Sequence, residues 1–175
     1  MKNNILYYSV GALLYCPANK KSVADSVVLE KFGSKYSLAL CLEDTINDNF
    51  VEEAEQELIR TIHTIYISYQ KQPFYLPKIF VRVRNASQIT RLTRSFGDSI
   101  KILTGYIVPK FTTENAPAYI QALIQANETA SHKLYVMPIY ENMAMIDLRR
   151  RSELLYELKD MLSDIEDLVL NIRVG

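Results

Sequence analysis

Residues 37–44 read SLALCLED, a short apolar run that alternates as a β-strand does. Its leucines share one face of the predicted strand: Leu38, Leu40 and Leu42. The other face is small and then charged: Ala39, Cys41 and Glu43. A strand of a doubly wound sheet is covered by helices on both faces and would be apolar on both. The stretch therefore favours a barrel strand, whose inner face tolerates charge at the carboxyl-end mouth.

A second stretch, KIFVRVRN at 78–85, repeats this pattern. One face is aliphatic: Ile79, Val81 and Val83. The opposite face becomes basic towards its end: Phe80, Arg82 and Arg84. Two neighbouring strands with one apolar face and one charged end support a barrel rather than an open sheet.

Strand patterns occur six times, at 11–18, 37–44, 78–85, 102–110, 133–141 and 168–175. Helical patterns separate them, at 24–32, 49–70, 87–96, 113–129 and 145–168. Asn49 and Thr113 are the predicted N-caps of the second and fourth helices. Regular strand–helix alternation predicts parallel strands joined by right-handed crossovers.

A complete (β/α)8 barrel has eight strands and about 250 residues. The 175 residues supply six strand patterns. We therefore predict one α/β domain over residues 1–175, an incomplete (β/α)8 TIM barrel without strands seven and eight. Open edge strands expose unpaired backbone groups, so we also expect a homo-oligomer.

The composition indicates which partners and which cellular compartment to expect for this protein. Lys plus Arg and Asp plus Glu number 20 each, and no basic stripe occurs, which argues against nucleic acid. No apolar run is long enough to span a membrane and no signal peptide is visible, so we expect a cytoplasmic protein. Cys16 and Cys41 are predicted to be buried free thiols. His63 and His132 are predicted to be structural.

Charged side chains cluster where the predicted strands end. They are Glu43, Asp44, Arg82, Arg84, Lys110, Glu141 and Arg173. Carboxyl ends of parallel barrel strands lie on one rim, where active sites are built. Acids beside arginine and lysine suit an oxygen-ligated divalent cation and an anionic substrate.

Structural roles remain open for the same side chains. Glu43 and Arg82 are equally consistent with a lumen salt bridge and with a catalytic pair. Rim arginines such as Arg84 bind backbone carbonyls as well as carboxylates. The scarcity of glycine, five in all, counts against a phosphate-binding module with a Gly-rich loop.

Several short motifs, in order, resemble one known family. They are GALLYCPANKKSVADS (11–26), LALCLEDTI (38–46), FVRVRN (80–85), YIVPK (106–110), MPIYEN (137–142) and NIRVG (171–175). The sequence resembles the HpcH/HpaI aldolase and citrate lyase beta-subunit family, and within it the branch called C–C bond lyase of the TIM-barrel fold.

The resemblance implies Mg²⁺-dependent carbon–carbon bond cleavage of a small anionic carboxylate or an acyl thioester. Glu141 would bind the metal, together with an acid just after strand six. Three residues would be catalytic, with the acids orienting the arginine that stabilises an enolate: Arg82, Glu43 and Asp44. Three basic residues are predicted to bind substrate: Arg84, Lys110 and Arg173.

The sequence also departs from the family pattern. Cys41 stands where the family motif begins with Asp. If face alternation fixes the alignment of the third strand, Arg84 falls where the family has Asn, and Asn85 is displaced by one. The chain stops at Gly175, before the second metal ligand. We therefore expect weak or absent Mg²⁺ binding and no activity from this chain alone. The alternative hypothesis is a truncated, non-catalytic TIM-barrel remnant or a self-associating binding protein.

Overall fold

The structure, a computed structural model, describes residues 5–175. Its strands are β1 (Ala12–Pro17), β2 (Tyr36–Cys41), β3 (Lys78–Arg82), β4 (Leu103–Val108), β5 (Tyr135–Tyr140) and β6 (Arg173–Val174). The α-helices are α1 (Val23–Val28), α2 (Val51–Lys71), α3 (Ala86–Ser95), α4 (Ala116–Thr129) and α5 (Arg151–Met161). Short 3₁₀ helices span Ile5–Tyr8, Asp48–Phe50, Gly97–Ile102, Met143–Met145 and Ser163–Ile165.

The strands form one parallel sheet in the order β1-β2-β3-β4-β5-β6. Strands adjacent in sequence are therefore adjacent in space, as the crossover rule for β/α units expects. The sheet curls into a half-barrel with the helices between its strands. This confirms the predicted fold class, an incomplete (β/α)8 barrel.

The two faces of the sheet carry separate apolar clusters. The leucines of β2 and the aliphatic residues of β3 pack with the helices in the larger cluster: Leu38, Leu40, Leu42, Ile79, Val81 and Val83. The smaller cluster lies on the inner face and contains Ala39, Phe80, Ile107, Met137 and Ile139. The predicted division of faces in β2 and β3 is confirmed. The smaller cluster also contains Val10, with Leu6 and Tyr7 packed against it, so the chain before β1 covers part of the inner face.

Both predicted helix caps are wrong. Asn47, not Asn49, is a cap: its side chain accepts the Asn49 N–H at 3.0 Å and begins a 3₁₀ turn that leads into α2. Helix α4 begins after Asn115 rather than Thr113, with a proline in its first turn. Proline has a φ already suited to the first helical positions, which places the helix start beside it.

The last third of the chain also differs from its predicted outline. The helix predicted for 145–168 is shorter, because α5 spans only Arg151–Met161 between 3₁₀ turns. The strand predicted for 168–175 is interrupted. Val169 bridges to Val136, whereas Arg173 pairs with Ile139, so one extra residue lies between the two pairings. The irregularity brings Arg173 opposite an inner-face residue.

The structure can also be compared with what the sequence predicts for the two cysteines, for His132 and for membrane-spanning segments. Cys16 and Cys41 are buried free thiols, as predicted. His132 contacts the Leu103 carbonyl oxygen through Nε2 at 2.8 Å, at the amino end of β4 and away from the strand-end cluster. Among residues 5–175 no helix has the length and apolar character needed to cross a membrane.

Candidate functional site

The candidate site lies at the carboxyl ends of β2 to β5. The parallel register pairs Cys41 with Arg82 and Arg82 with Ile107, so these strand ends are level with one another. The chain leaving each strand therefore delivers its next side chains to the same edge. This edge is the rim on which TIM barrels build active sites.

Arg82, the last residue of β3, is the centre of the cluster. Its Nη2 lies 2.8 Å from Glu43 Oε2, 3.0 Å from Asp44 Oδ2 and 3.3 Å from Glu141 Oε1. The side chains of Arg82 and Glu43 are each only 11% exposed. One guanidinium nitrogen thus holds carboxylates that come from the ends of two different strands.

Lys110 joins the same cluster through both its backbone and its side chain. Its backbone N–H donates to Glu141 Oε1 at 3.0 Å. Its Nζ lies 2.6 Å from Glu43 Oε1 and 3.5 Å from Asp44 Oδ1. Lys110 has a φ of 49°, in the left-handed region that a non-glycine residue rarely adopts. This conformation accompanies the simultaneous contacts with the ends of β2 and β5.

The charges of the cluster shift the pKa values of its members. The pKa of Asp44 is lowered by its hydrogen bond with Glu43 and then by Arg82 and Lys110. The largest effect on the Arg82 pKa is burial, which lowers it, but the attraction of Glu43 and the other negative groups outweighs burial and the pKa is raised. The hydrogen bond to Glu43 raises the pKa of Lys110. Arg82 and Lys110 therefore remain protonated at neutral pH.

Several polar atoms of the cluster have no partner within residues 5–175. Arg82 uses only Nη2, and its buried Nε has no hydrogen-bond partner. Glu141 uses Oε1 for its hydrogen bonds, which leaves Oε2 without one. A Cβ at Gly175 would lie 2.7 Å from Glu141 Cβ and 2.9 Å from that Oε2, so any other residue there would displace the Glu141 side chain.

These atoms fit a divalent cation in part. Glu141 offers one free carboxylate oxygen, the hard ligand type that Mg²⁺ prefers. Glu43 and Asp44 are occupied by Arg82 and Lys110. In the described part of the chain, no three His, Cys, Asp or Glu side chains are already arranged as a metal site.

Two of the predicted substrate-binding residues lie outside this contact network. The Arg84 guanidinium binds the loop after β2 instead, through the carbonyls of Leu42, Glu43 and Ile46. Arg173 lies on the inner face opposite Ile139 and forms no ion pair with the described residues. The structure therefore brings together the acids, Arg82 and Lys110, but not these two arginines.

Comparison with known proteins identifies the family. The family model described as C–C bond lyase of the TIM-barrel fold matches residues 4–175.

The chain belongs to this C–C bond lyase family.

Two solved structures match nearly the whole of this chain. One is a citrate lyase beta subunit from Mycobacterium tuberculosis complexed with oxaloacetate and magnesium, at 15% identity and a TM-score of 0.48, covering 98% of this chain and 59% of that chain. Another is the protein CitE of the same organism in complex with magnesium and acetoacetate, at 16% identity and a TM-score of 0.50, covering 97% and 54%. The chain thus spans little more than half the length of these neighbours. No match was found among curated proteins.

Tyr15, an inner-face residue of this C–C bond lyase family member, is not among the site residues predicted from the sequence. Tyr15 pairs with Ala39 in the sheet register and is 37% exposed. Burial raises the pKa of its hydroxyl, and the nearby charges of Arg173 and Arg82 oppose that shift. The alternation of β1 would have placed Tyr15 on the inner face, but a lone tyrosine there gave no functional signal.

Proposed function

We propose that the strand-end cluster is part of a Mg²⁺-dependent site that cleaves a carbon–carbon bond in a small carboxylate or acyl thioester substrate. The observation that carries this proposal is the pattern of hydrogen-bond partners around the Arg82 guanidinium. Its Nη2 is held by three carboxylates, and Nη1 has no hydrogen-bond partner among residues 5–175. A charged guanidinium held in place with spare donors is suited to an oxygen anion.

The chemistry follows from where negative charge develops. Retro-aldol cleavage breaks the bond between the α and β carbons of a β-hydroxy carbonyl compound. The β-hydroxyl proton passes to a general base or water, the β carbon becomes a carbonyl group, and the bonding electrons form an enolate on the other fragment. Preorganised donors aimed at the enolate oxygen lower the barrier. Arg82 would donate to the enolate or to a substrate carboxylate. Glu43 and Asp44 would keep its guanidinium charged and in place.

Glu141 would supply the metal ligand through its free Oε2. The Lys110 N–H at 3.0 Å holds Oε1 and so orients this carboxylate. When bound, Mg²⁺ would act as a Lewis acid on the substrate oxygens. One carboxylate with substrate oxygens is a common way to bind Mg²⁺, so we expect the acid substrate to strengthen metal binding.

The proposed substrate class rests on the family and on the small carboxylate bound to one neighbouring structure. Protein CitE, the neighbour with a TM-score of 0.50, is in complex with magnesium and acetoacetate. Acetoacetate is therefore a suitable probe for this chain. Arg82 and Lys110, together with the bound Mg²⁺, would supply the positive charge that an anionic ligand requires.

Calorimetry on the 175-residue chain tests the proposal. We expect Mg²⁺ to bind weakly alone and more tightly with acetoacetate present. Glu141→Gln should abolish the metal response, whereas Glu128→Gln, an exposed glutamate on α4, should not. Arg82→Lys should keep the metal response and lower acetoacetate affinity about tenfold, a loss of about 1.4 kcal/mol.

Arg149→Lys, on an exposed arginine, is the control for Arg82. Equal acetoacetate affinity in wild type, Arg82→Lys and Arg149→Lys would contradict the proposal. So would the absence of any Mg²⁺-dependent binding of the acid.

A further inference from the structure

We infer that Arg84 is a positioning residue that fixes the 42–48 loop and, through that loop, the carboxylates that orient Arg82. The inference deepens the proposed function and rests on it for the expected effect on ligand binding. Arg84 comes from β3's carboxyl end, two residues after Arg82, but its side chain leaves the cluster.

The Arg84 guanidinium is bound by four acceptors of one short loop. Nε donates to the Leu42 carbonyl at 2.7 Å. Nη2 donates to the carbonyls of Ile46 and, at 3.3 Å, Glu43. Nη1 pairs with the carboxylate of Asp48. All three guanidinium nitrogens are therefore engaged within residues 42–48.

Among the described residues, only Arg84 donates to the carbonyls of Leu42 and Ile46, whereas the Glu43 carbonyl also accepts the Ile46 N–H at 3.0 Å. Leu42 and Ile46 are buried residues, and a buried carbonyl without a partner is costly. The planar fork of an arginine reaches several such acceptors at once, whereas a lysine ammonium has no comparable geometry.

The backbone of Arg84 is itself held on both sides. Its N–H donates to Gln88 Oε1 at 2.6 Å, and its carbonyl oxygen accepts the Tyr119 hydroxyl at 3.1 Å. Gln88 in turn donates to Glu55 Oε1 at 2.7 Å. The loop is therefore attached to a residue anchored by α2, α3 and α4, which makes Arg84 a rigid support.

The loop carries two of the three acids that hold Arg82. Glu43 and Asp44 lie 2.8 Å and 3.0 Å from Arg82 Nη2, and the Asp44 N–H donates to Glu43 Oε2 at 2.9 Å. Glu141 follows β5 instead and does not depend on this loop. Loss of the Arg84 contacts should therefore disturb Arg82 while leaving the proposed metal ligand in place.

Arg84→Lys and Arg84→Gln in the 175-residue chain test this inference by NMR and calorimetry. In the free protein we expect the amide protons of 43–48 to exchange at least about tenfold faster, and the Arg82 Nε–H signal to shift or broaden. With Mg²⁺ present, acetoacetate affinity should fall about tenfold, while the response to Mg²⁺ alone stays at the wild-type level. Arg149→Lys should leave every readout unchanged.

A direct ligand contact by Arg84, the role predicted from the sequence, gives a different result. It would lower acetoacetate affinity but leave the Arg82 Nε–H signal and the loop exchange unchanged in the free protein, which would overturn the inference. A double-mutant cycle with Asp44→Asn separates the roles further. Effects on acetoacetate affinity should be non-additive if Arg84 acts through the loop, and additive if it touches the ligand.

Two further outcomes are distinguishable. If wild-type chain binds no acetoacetate, the proposed function fails, but the loop exchange and the Arg82 signal still decide the role of Arg84. If Arg84→Gln does not fold, Asp48→Asn removes the charge from one exposed contact of the guanidinium and should give a smaller change in the same direction. Unchanged loop exchange in both Arg84→Lys and Asp48→Asn would reject the inference.

Discussion

Arg82 and Glu43 come from the ends of neighbouring strands and meet at 2.8 Å with little exposure to solvent. Of the two interpretations left open by the sequence, the lumen salt bridge is present in the structure. The bridge does not exclude catalysis, because Asp44 and Glu141 share the same guanidinium nitrogen. Three carboxylates hold the Arg82 guanidinium in place more firmly than a single structural ion pair would.

Removing the Arg82 charge should destabilise the fold. Breaking a buried ion pair by removing one partner leaves a charge without compensation, and partial exposure of Asp44 and Glu141 moderates the loss. We expect Arg82→Gln to lower the free energy of unfolding by about 2–3 kcal/mol at pH 7 in urea denaturation. Arg149→Gln should change it by less than about 0.5 kcal/mol. Equal values for the two variants would contradict this interpretation.

Stability should fall in acid partly through Asp44. Its pKa is lowered in the folded protein, first by the hydrogen bond with Glu43 and then by Arg82 and Lys110. A carboxyl group with a lowered folded pKa stabilises the fold above its unfolded pKa of about 3.9 and loses that contribution as pH falls through the folded value. Asp44→Asn should therefore reduce the pH dependence of the melting temperature below about pH 4. The exposed Asp164→Asn serves as the control, and an identical slope in both variants would be evidence against the assignment.

Position 110 should prefer glycine to alanine. The φ of 49° is strained for any side chain with a Cβ, by about 1 kcal/mol, and glycine avoids that strain. Lys110→Gly and Lys110→Ala both lose the Nζ contacts, so their difference isolates the backbone. We expect Lys110→Gly to be the more stable by about 1 kcal/mol in urea denaturation. At the exposed helical residue Gln125 the order should reverse, with alanine more stable than glycine.

Gly105 should tolerate no side chain. A Cβ there would lie 2.0 Å from the carbonyl oxygen of Tyr135, so β4 and β5 would have to separate. Overpacking against backbone atoms cannot be relieved by a rotamer change, and we expect Gly105→Ala to cost about 3 kcal/mol. Thermal unfolding measures this loss. Ser95→Ala, at an exposed position on α3, should change stability by less than about 0.5 kcal/mol, and a similarly small effect at Gly105 would contradict the close approach of the strands.

The sequence predicted much of the fold because its information is local. Alternation in β2 and β3 depends only on residue order and the two-residue period of a strand, so the faces were predicted correctly. The last strand is less regular, because one extra residue between its two pairings with β5 changes which side chains face inwards. The predicted N-caps of α2 and α4 are wrong for a similar reason, because short 3₁₀ turns and proline turns move a helix start by a few residues.

The candidate site was predictable to the extent that parallel strands place their carboxyl ends together. That rule alone brings Glu43, Asp44, Arg82, Lys110 and Glu141 to one edge, and all of them meet there. It cannot say which way a long side chain turns after the strand has ended. Arg84 shows this limit, because it binds the carbonyls of an adjacent loop.

By itself, the sequence determined the strand–helix order, the apolar and charged faces of β2 and β3, and the acidic and basic residues at the strand ends. Residue order and backbone periodicity suffice for these features. Only the tertiary structure decided that Arg82 takes three carboxylates on one nitrogen, that Lys110 joins β2 to β5 through a left-handed backbone, and that Arg84 supports a loop. Each of these depends on distances between segments far apart in the chain, which are set by how the strands and loops pack.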